Sequence, residues 1–343
     1  MEEKKLRLLF FFMIGHTRFM KNFLTIIILL GLIIGAWFIF TNKDKQDTVN
    51  INQEESKGLF QDIGLQTNTT KTLIPLDEVL GGGPAKDGIP AISTPKFKNI
   101  AETDIPDETL GVLVKGNEGF RYYPYTVLVW HEIVNDTIDG KGIAVTFCPL
   151  CGSSIVYERS TNGTVHEFGV SGKLWQSNLL MYDKATESLW SQIEGRAVVG
   201  DLIGSELEIY PSDIVTWAEA KNAYPNLQVL SDDTGYNRDY GFYPYGNYDD
   251  SEDLIFPINN LDTSLPAKTL MYASVINEEP IAFVRERLLE EKTASIETDS
   301  GTLTASVNEN NEITLVDTDG NTYPGYVTMW FSWANHNDGP VWQ

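Results

Sequence analysis

From residue 109 onward apolar and polar positions alternate with the two-residue period of β-strands, and turn-forming dipeptides break the pattern. Residues 110–115 read as a strand and 123–130 as a short helix or turn. Residues 131–138 and 141–148 read as two strands joined by Asp139-Gly140, a pair that readily takes the positive φ of a two-residue hairpin loop. In the second of these strands Ile143, Val145 and Phe147 alternate with Ala144, Thr146 and Cys148. Cys148-Pro149-Leu150-Cys151 then reads as a tight turn, since proline's φ is already near the turn value, and 153–157 returns as a strand. Ser212 is placed to cap a helix with Trp217, Ala220 and Tyr224 on one face, stopped by Pro225. Residues 232–253 are a loop region rich in Gly, Asp and Tyr. Gly81-Gly82-Gly83-Pro84 lacks the Lys-Ser/Thr of a phosphate loop and reads as a turn.

Before this patterned region lies FLTIIILLGLIIGAWFIF, residues 23–40, an uncharged apolar run near the roughly 18-residue threshold for a membrane helix. Lys4, Lys5, Arg7, Arg18 and Lys21 precede it, so the N-terminus is expected in the cytoplasm and the bulk of the chain outside it. No small-x-small cleavage pattern follows, which points to an uncleaved anchor. Met20 would make a tidier start than Met1. Protease added to intact spheroplasts is expected to digest the chain beyond Asn42; protection of that region would refute the orientation.

The strand pattern also repeats weakly. IPDETLGVLVKGNEGFRYYPYTVL resembles LPAKTLMYASVINEEPIAFVRERLL, and DIVTWAEAKNAYPN is echoed by VTMWFSWANHNDG. The copies would run over 105–230 and 265–339, with cysteines only in the first; the alternative is chance similarity among strand-turn-strand units. The expected fold is mainly β (α+β), two related β-rich lobes with a few short helices after a single N-terminal transmembrane helix. Its divisions are 1–42 (cytoplasmic N-terminus and anchor), 43–93 (tether and lead-in), 94–230 (first lobe, with the cysteine turn) and 231–343 (loop region and second lobe).

The formal charge of −23 is unevenly spread: residues 1–40 carry +3, leaving −26 on the rest. So acidic a surface repels nucleic acid and is read as a solvated face. Two cysteines cannot form a disulfide framework or a four-cysteine zinc ribbon. Three readings remain for them: a metal site, a small structural disulfide and redox exchange. A thioredoxin-like site wants its first cysteine at a helix N-terminus, whereas here the second leads into the β-like run SSIVYER.

A metal site needs further ligands, and imidazole suits copper or zinc beside thiolate. Pairing outward from Ile138 opposite Lys141 puts His131 opposite Cys148, with Asn135 and Ala144 on that face and Glu132 and Phe147 on the other. Cys148, Cys151 and His131 would then be three ligands with one position open. One bulge would turn the imidazole away. His166, on the apolar face of Phe168 and Val170, is a weaker ligand and more commonly a core histidine. His16 precedes the membrane run, and His336 is placed in a surface loop.

Asp136, Asp183, Glu187, Glu194 and Asp201 offer carboxylates for acid–base work, although Asp183 reads as a turn residue. Trp175, Tyr182 and Trp190, with Asp183, could form a stacking site for a sugar or flat ligand; the commoner role of such aromatics is core. Ser171 and Ser177 lie in GVSGKLWQS, which is not the Gly-x-Ser-x-Gly elbow of serine hydrolases.

The segments TFCPLCGSSIVYER, FGVSGKLWQSNLLMYD, ESLWSQIEG, WHEIVNDTIDGK and DTGYNRDYGFYPYG together resemble the uncharacterised prokaryotic family called domain of unknown function 3179. The resemblance covers roughly residue 94 to the C-terminus. It implies a shared fold and site and carries no activity. The functional expectation is a membrane-anchored extracytoplasmic domain that binds copper or zinc through Cys148, Cys151 and His131. The alternatives are a non-catalytic envelope module with a plain disulfide, and a thiol–disulfide redox protein.

Overall fold

The computed structural model describes residues 64–343, so the apolar run at 23–40 lies outside the described residues. No helix among the described residues is long and apolar enough to cross a membrane. The described residues all fall in one compact unit.

The fold is mainly β with a few short helices. Val79–Gly81 (β1) and Phe97–Asn99 (β2) lead into Leu110–Gly116 (β3), Gly119–Pro124 (β4), the helix Tyr125–His131 (α1), Ile133–Ile138 (β5), Lys141–Cys148 (β6) and Ser153–Glu158 (β7). The short strands Ser160–Thr161 (β8) and Thr164–Val165 (β9) precede Phe168–Trp175 (β10), Asn178–Asp183 (β11), Leu189–Ser191 (β12) and Arg196–Val199 (β13). Ser212–Thr216 (β14), Trp217–Ala223 (α2) and Gln228–Leu230 (β15) follow. Beyond the loop region come Leu270–Ile276 (β16), Glu279–Val284 (β17), Arg285–Glu291 (α3), Thr293–Thr298 (β18) and Gly301–Val307 (β19). The chain ends with Ile313–Val316 (β20), Thr322–Tyr323 (β21), Tyr326–Met329 (β22), Trp330–His336 (α4) and Val341–Trp342 (β23).

The main sheets run β1-β10-β11-β12-β13, β14-β3-β4-β15-β2, β23-β17-β16-β22-β7-β6-β5 and β18-β19-β20-β21. Within them two stretches share element order and register. Gly111 lies opposite Pro124 in β3–β4, and Met271 opposite Val284 in β16–β17. Ile133 pairs with Thr146 in β5–β6, and Thr293 with Ser306 in β18–β19. The outer strands correspond too: β14 runs antiparallel to β3 as β22 does to β16, and β15 runs parallel to β4 as β23 does to β17. The halves are joined through one sheet, where Val327 of β22 pairs with Ser154 of β7.

The β5–β6 hairpin has the register its turn residues imply. Asp139 (φ 54°) and Gly140 (φ 79°) take the left-handed conformation that matches strand twist, and Ile138 pairs with Lys141. Both faces of β6 are buried. Ala144 and Cys148 enter one core cluster with Ile155, Met181, Trp190 and Trp330, whereas Ile143, Val145 and Phe147 enter another with Val112 and Leu128. Helix α2 starts later than its apolar face suggests. Ser212 begins β14, and the cap is Thr216, whose hydroxyl accepts from Glu219 N–H while the Glu219 carboxylate accepts from Thr216 N–H.

Candidate functional site

The cysteine turn sits between β6 and β7, where the paired strands bring Cys148 opposite Ser153. The Cys151 N–H donates to the Cys148 carbonyl at 3.3 Å, closing the turn, and Gly152 leaves it at φ 54°. Both cysteines are free and buried, with sulfurs 2.8 Å apart. The turn is held from two sides. Met329 N–H donates to the Cys151 carbonyl at 2.8 Å, and the Tyr248 hydroxyl, from the Tyr-rich loop, donates to the Leu150 carbonyl at 2.7 Å.

A polar cluster surrounds Cys151 within this core. Asn178 Nδ2 donates to its sulfur at 3.1 Å and to Gln192 Oε1 at 2.9 Å, and the Ser153 hydroxyl donates to Gln192 Oε1 at 2.7 Å. Gln192 Nε2 donates in turn to Thr146 Oγ1 at 3.0 Å. Burial alone would push the Cys151 thiol up, but hydrogen bonds from Cys148, Ser153 and Asn178 outweigh it and bring the thiol below its ordinary value. The Cys148 thiol is pushed well up by burial, then by its bond to Cys151 and the nearby Cys151 and Glu132 charges. The two thiols are thus driven apart, Cys151 becoming the more acidic and Cys148 the less acidic of the pair.

Glu132 completes the cluster. It is the C-cap of α1, with φ 58°, and its carbonyl accepts from Phe147 N–H at 2.7 Å. Burial, and secondarily charge on Cys151, raises its carboxyl to about 8. Strand parity places Glu132 on the face away from the thiols, but its positive φ breaks that parity and couples it to them.

The same break removes His131 from the expected pairing. His131 ends α1 and lies outside the strand, which begins at Ile133. Its Nδ1 is bonded to the Pro90 carbonyl at 2.7 Å and its Nε2 to the Tyr240 hydroxyl at 2.8 Å, so both ring nitrogens are committed elsewhere. Among the described residues no group of three or more His, Cys, Asp or Glu is spaced to hold a metal ion. Cys148 and Cys151 are brought together; His131 does not join them.

The remaining residues singled out from the sequence are dispersed. His166 Nε2 bonds Thr161 Oγ1 at 2.7 Å and its ring packs near Phe168 and Trp190. His336 ends helix α4 instead of lying in a loop, with Nδ1 on the Ser332 carbonyl at 2.9 Å. Asp136 accepts from Arg121 and Tyr123, each at 2.6 Å. Asp183 accepts from Thr186 and from Trp190 Nε1, as its turn reading implies. Glu187 pairs with Lys86 and Asp201 with Lys71, and burial raises the Glu194 carboxyl. Trp175 Nε1 donates to Glu78, Tyr182 OH donates to Asp87, and Trp190 is fully buried against the Phe168 edge. These aromatics present no common open face. Ser171 donates to the Leu180 carbonyl, and Ser177 Oγ is buried.

Asn178, Gln192 and Glu132 were not legible as site residues. Asn178 and Gln192 lie in QSNLLMYD and WSQIEG, segments of the family resemblance whose polar residues stand among apolar ones. The family model described as protein of unknown function, DUF3179, matches residues 86–323, well over half of the chain and including the whole dithiol cluster. The chain belongs to the DUF3179 family. No curated protein and no solved structure matches it. Within the matched region, the segment from Glu132 to Gln192 builds the polar cluster, and the Tyr-rich loop reaches its turn through Tyr248.

Proposed function

We propose that this DUF3179 protein is a redox-active dithiol on a duplicated β-rich domain, anchored outside the cytoplasm by residues 23–40. One observation carries the redox reading: the Cys148 and Cys151 sulfurs lie 2.8 Å apart in a turn, with Asn178 donating to Cys151. The dithiol lacks a helix dipole, and hydrogen bonds with Cys148 first, then Ser153 and Asn178, lower the Cys151 thiol instead.

The exchange would run with an external dithiol. In reduction its thiolate attacks one sulfur of the Cys148–Cys151 disulfide. The S–S bond breaks as the mixed disulfide forms, and the departing sulfur takes a proton. The second external thiol then gives up its proton and displaces the remaining protein sulfur. Two protein thiols and one external disulfide result. Cys148, hydrogen-bonded to Cys151 and with its thiol pushed up, is the group placed to share the proton, and Glu132, raised to about 8, responds electrostatically to the charge on Cys151.

The copper or zinc reading now rests on the two sulfurs without His131, and one experiment separates the two. The full chain, purified without oxygen, is equilibrated against a glutathione redox series. Free thiols are counted by alkylation and mass, and metal by elemental analysis. Reversible gain and loss of two thiols together, without bound metal, is the expected result. One equivalent of metal lost in Cys148→Ser would establish the metal reading instead, and a disulfide that no reductant opens would leave the structural one.

A further inference from the structure

We infer that the cavity of about 630 Å³ between the corresponding halves is a binding site for a largely apolar molecule carrying one anionic group. This goes beyond the thiol chemistry and does not depend on it. The volume is in the range of small-molecule sites.

The cavity is built from matching positions of the two halves. Leu110 and Leu270 open equivalent strands, Tyr125 and Arg285 open equivalent helices, and Ile214 and Val327 occupy equivalent places in the outer strands; all six line it. The symmetry is broken at the helix starts. Tyr125 OH and Ser154 Oγ are hydrogen-bonded at 2.5 Å. Arg285 donates through Nη2 to the Ile214 carbonyl at 2.7 Å, while its buried Nε has no hydrogen-bond partner. Arg285 enters none of the ion pairs among the described residues. Burial lowers its pKa, offset in part by the charges of Tyr125, Glu219 and Asp213; a guanidinium stays charged, so a cation with no carboxylate in ion-pair contact lines a mostly apolar space.

Of the other charged residues at the wall, Glu108, Asp249 and Lys268, the last two are hydrogen-bonded within the protein. Lys268 donates to Ser251 Oγ at 2.9 Å and to the Tyr248 carbonyl, with its ammonium 3.4 Å from the Tyr248 ring centroid. Asp249 takes a hydrogen bond from Tyr243. Val129, Phe147 and Met329 supply apolar wall. Arg285 can therefore pair with a headgroup while the remainder of the ligand fills the space between the halves.

The test is equilibrium dialysis of radiolabelled dodecanoate against lipid nanodiscs holding the full chain, with empty nanodiscs as the blank. The expected result is saturable binding of one equivalent per chain. Arg285→Met should weaken it by about ten-fold or more, Arg285→Lys should restore part of it, and uncharged dodecanol should bind the native chain about as weakly as dodecanoate binds Arg285→Met. Leu270→Trp, which keeps the guanidinium and fills the apolar end, should abolish binding. No saturable binding above the blank, equal affinity for dodecanoate and dodecanol, or indifference to Leu270→Trp would each overturn the proposal.

Discussion

Asn178→Leu is expected to destabilise the protein by about 3 kcal/mol and to move alkylation of the reduced dithiol to higher pH. Leucine keeps asparagine's branched shape and heavy-atom count but is bulkier, so the loss combines broken hydrogen bonds with overpacking of a buried site. Asn178 Nδ2 serves the Cys151 sulfur and Gln192 Oε1, and its Oδ1 accepts from Ile193 N–H at 3.1 Å. Leucine leaves the Ile193 N–H buried without that acceptor, at a cost of about 1–3 kcal/mol, and strips a donor from the thiolate. Gln192 is less affected, because Ser153 still donates to its Oε1. Urea unfolding measures the stability loss, and the rate of iodoacetamide labelling against pH measures the thiol. A normal loss of stability with an unmoved labelling profile would show that Asn178 holds the core without tuning Cys151.

The sequence pattern made the hairpin and the cysteine turn legible because both are local. Asp139-Gly140 sets the register from Ile138 and Lys141, and the Cys-Pro-Leu-Cys spacing sets the sulfurs close together. Extending that register to residue 131 failed at one backbone angle. Glu132 takes φ 58°, so the strand stops at Ile133, His131 ends a helix, and the carboxylate assigned to the far face is the one coupled to the thiols. Glutamate seldom adopts a positive φ, and no local signal marks it. Asn178 reaches Cys151, and Gln192 reaches Asn178 and Thr146, over sequence separations that periodicity does not report. Helix α2 is different: Thr216-x-x-Glu219 is a readable capping box, and it identifies the helix start that Ser212 did not. The placement of β22 beside β7, through the pair Val327–Ser154 and the Met329 N–H on the Cys151 carbonyl, has no signature in either strand.

Glu132→Gln is expected to remove a pH dependence of stability that the reduced protein carries. The carboxyl has an ordinary value of 4.5 and rises to about 8 in the fold, through burial and then charge on Cys151. Between those values the folded chain holds a proton that the unfolded chain has released. Stability therefore falls as pH climbs through the window and levels off above it. At about 1.36 kcal/mol per unit, the loss over the whole window is on the order of 5 kcal/mol. Glutamine keeps the size and cannot ionise, so this part of the slope vanishes. Urea unfolding of reduced native chain and Glu132→Gln at pH 5 and pH 8.5 measures the difference, with other titrating groups common to both. The oxidised proteins supply the link to function. A disulfide carries no thiolate charge, so Glu132 should sit lower when Cys148 and Cys151 are joined, and the native slope should be shallower than in the reduced form. Equal slopes for native and Glu132→Gln reduced chains would remove Glu132 from the proton economy of the dithiol. Equal native slopes in the two redox states would leave it a buried acid coupled to nothing but its own desolvation.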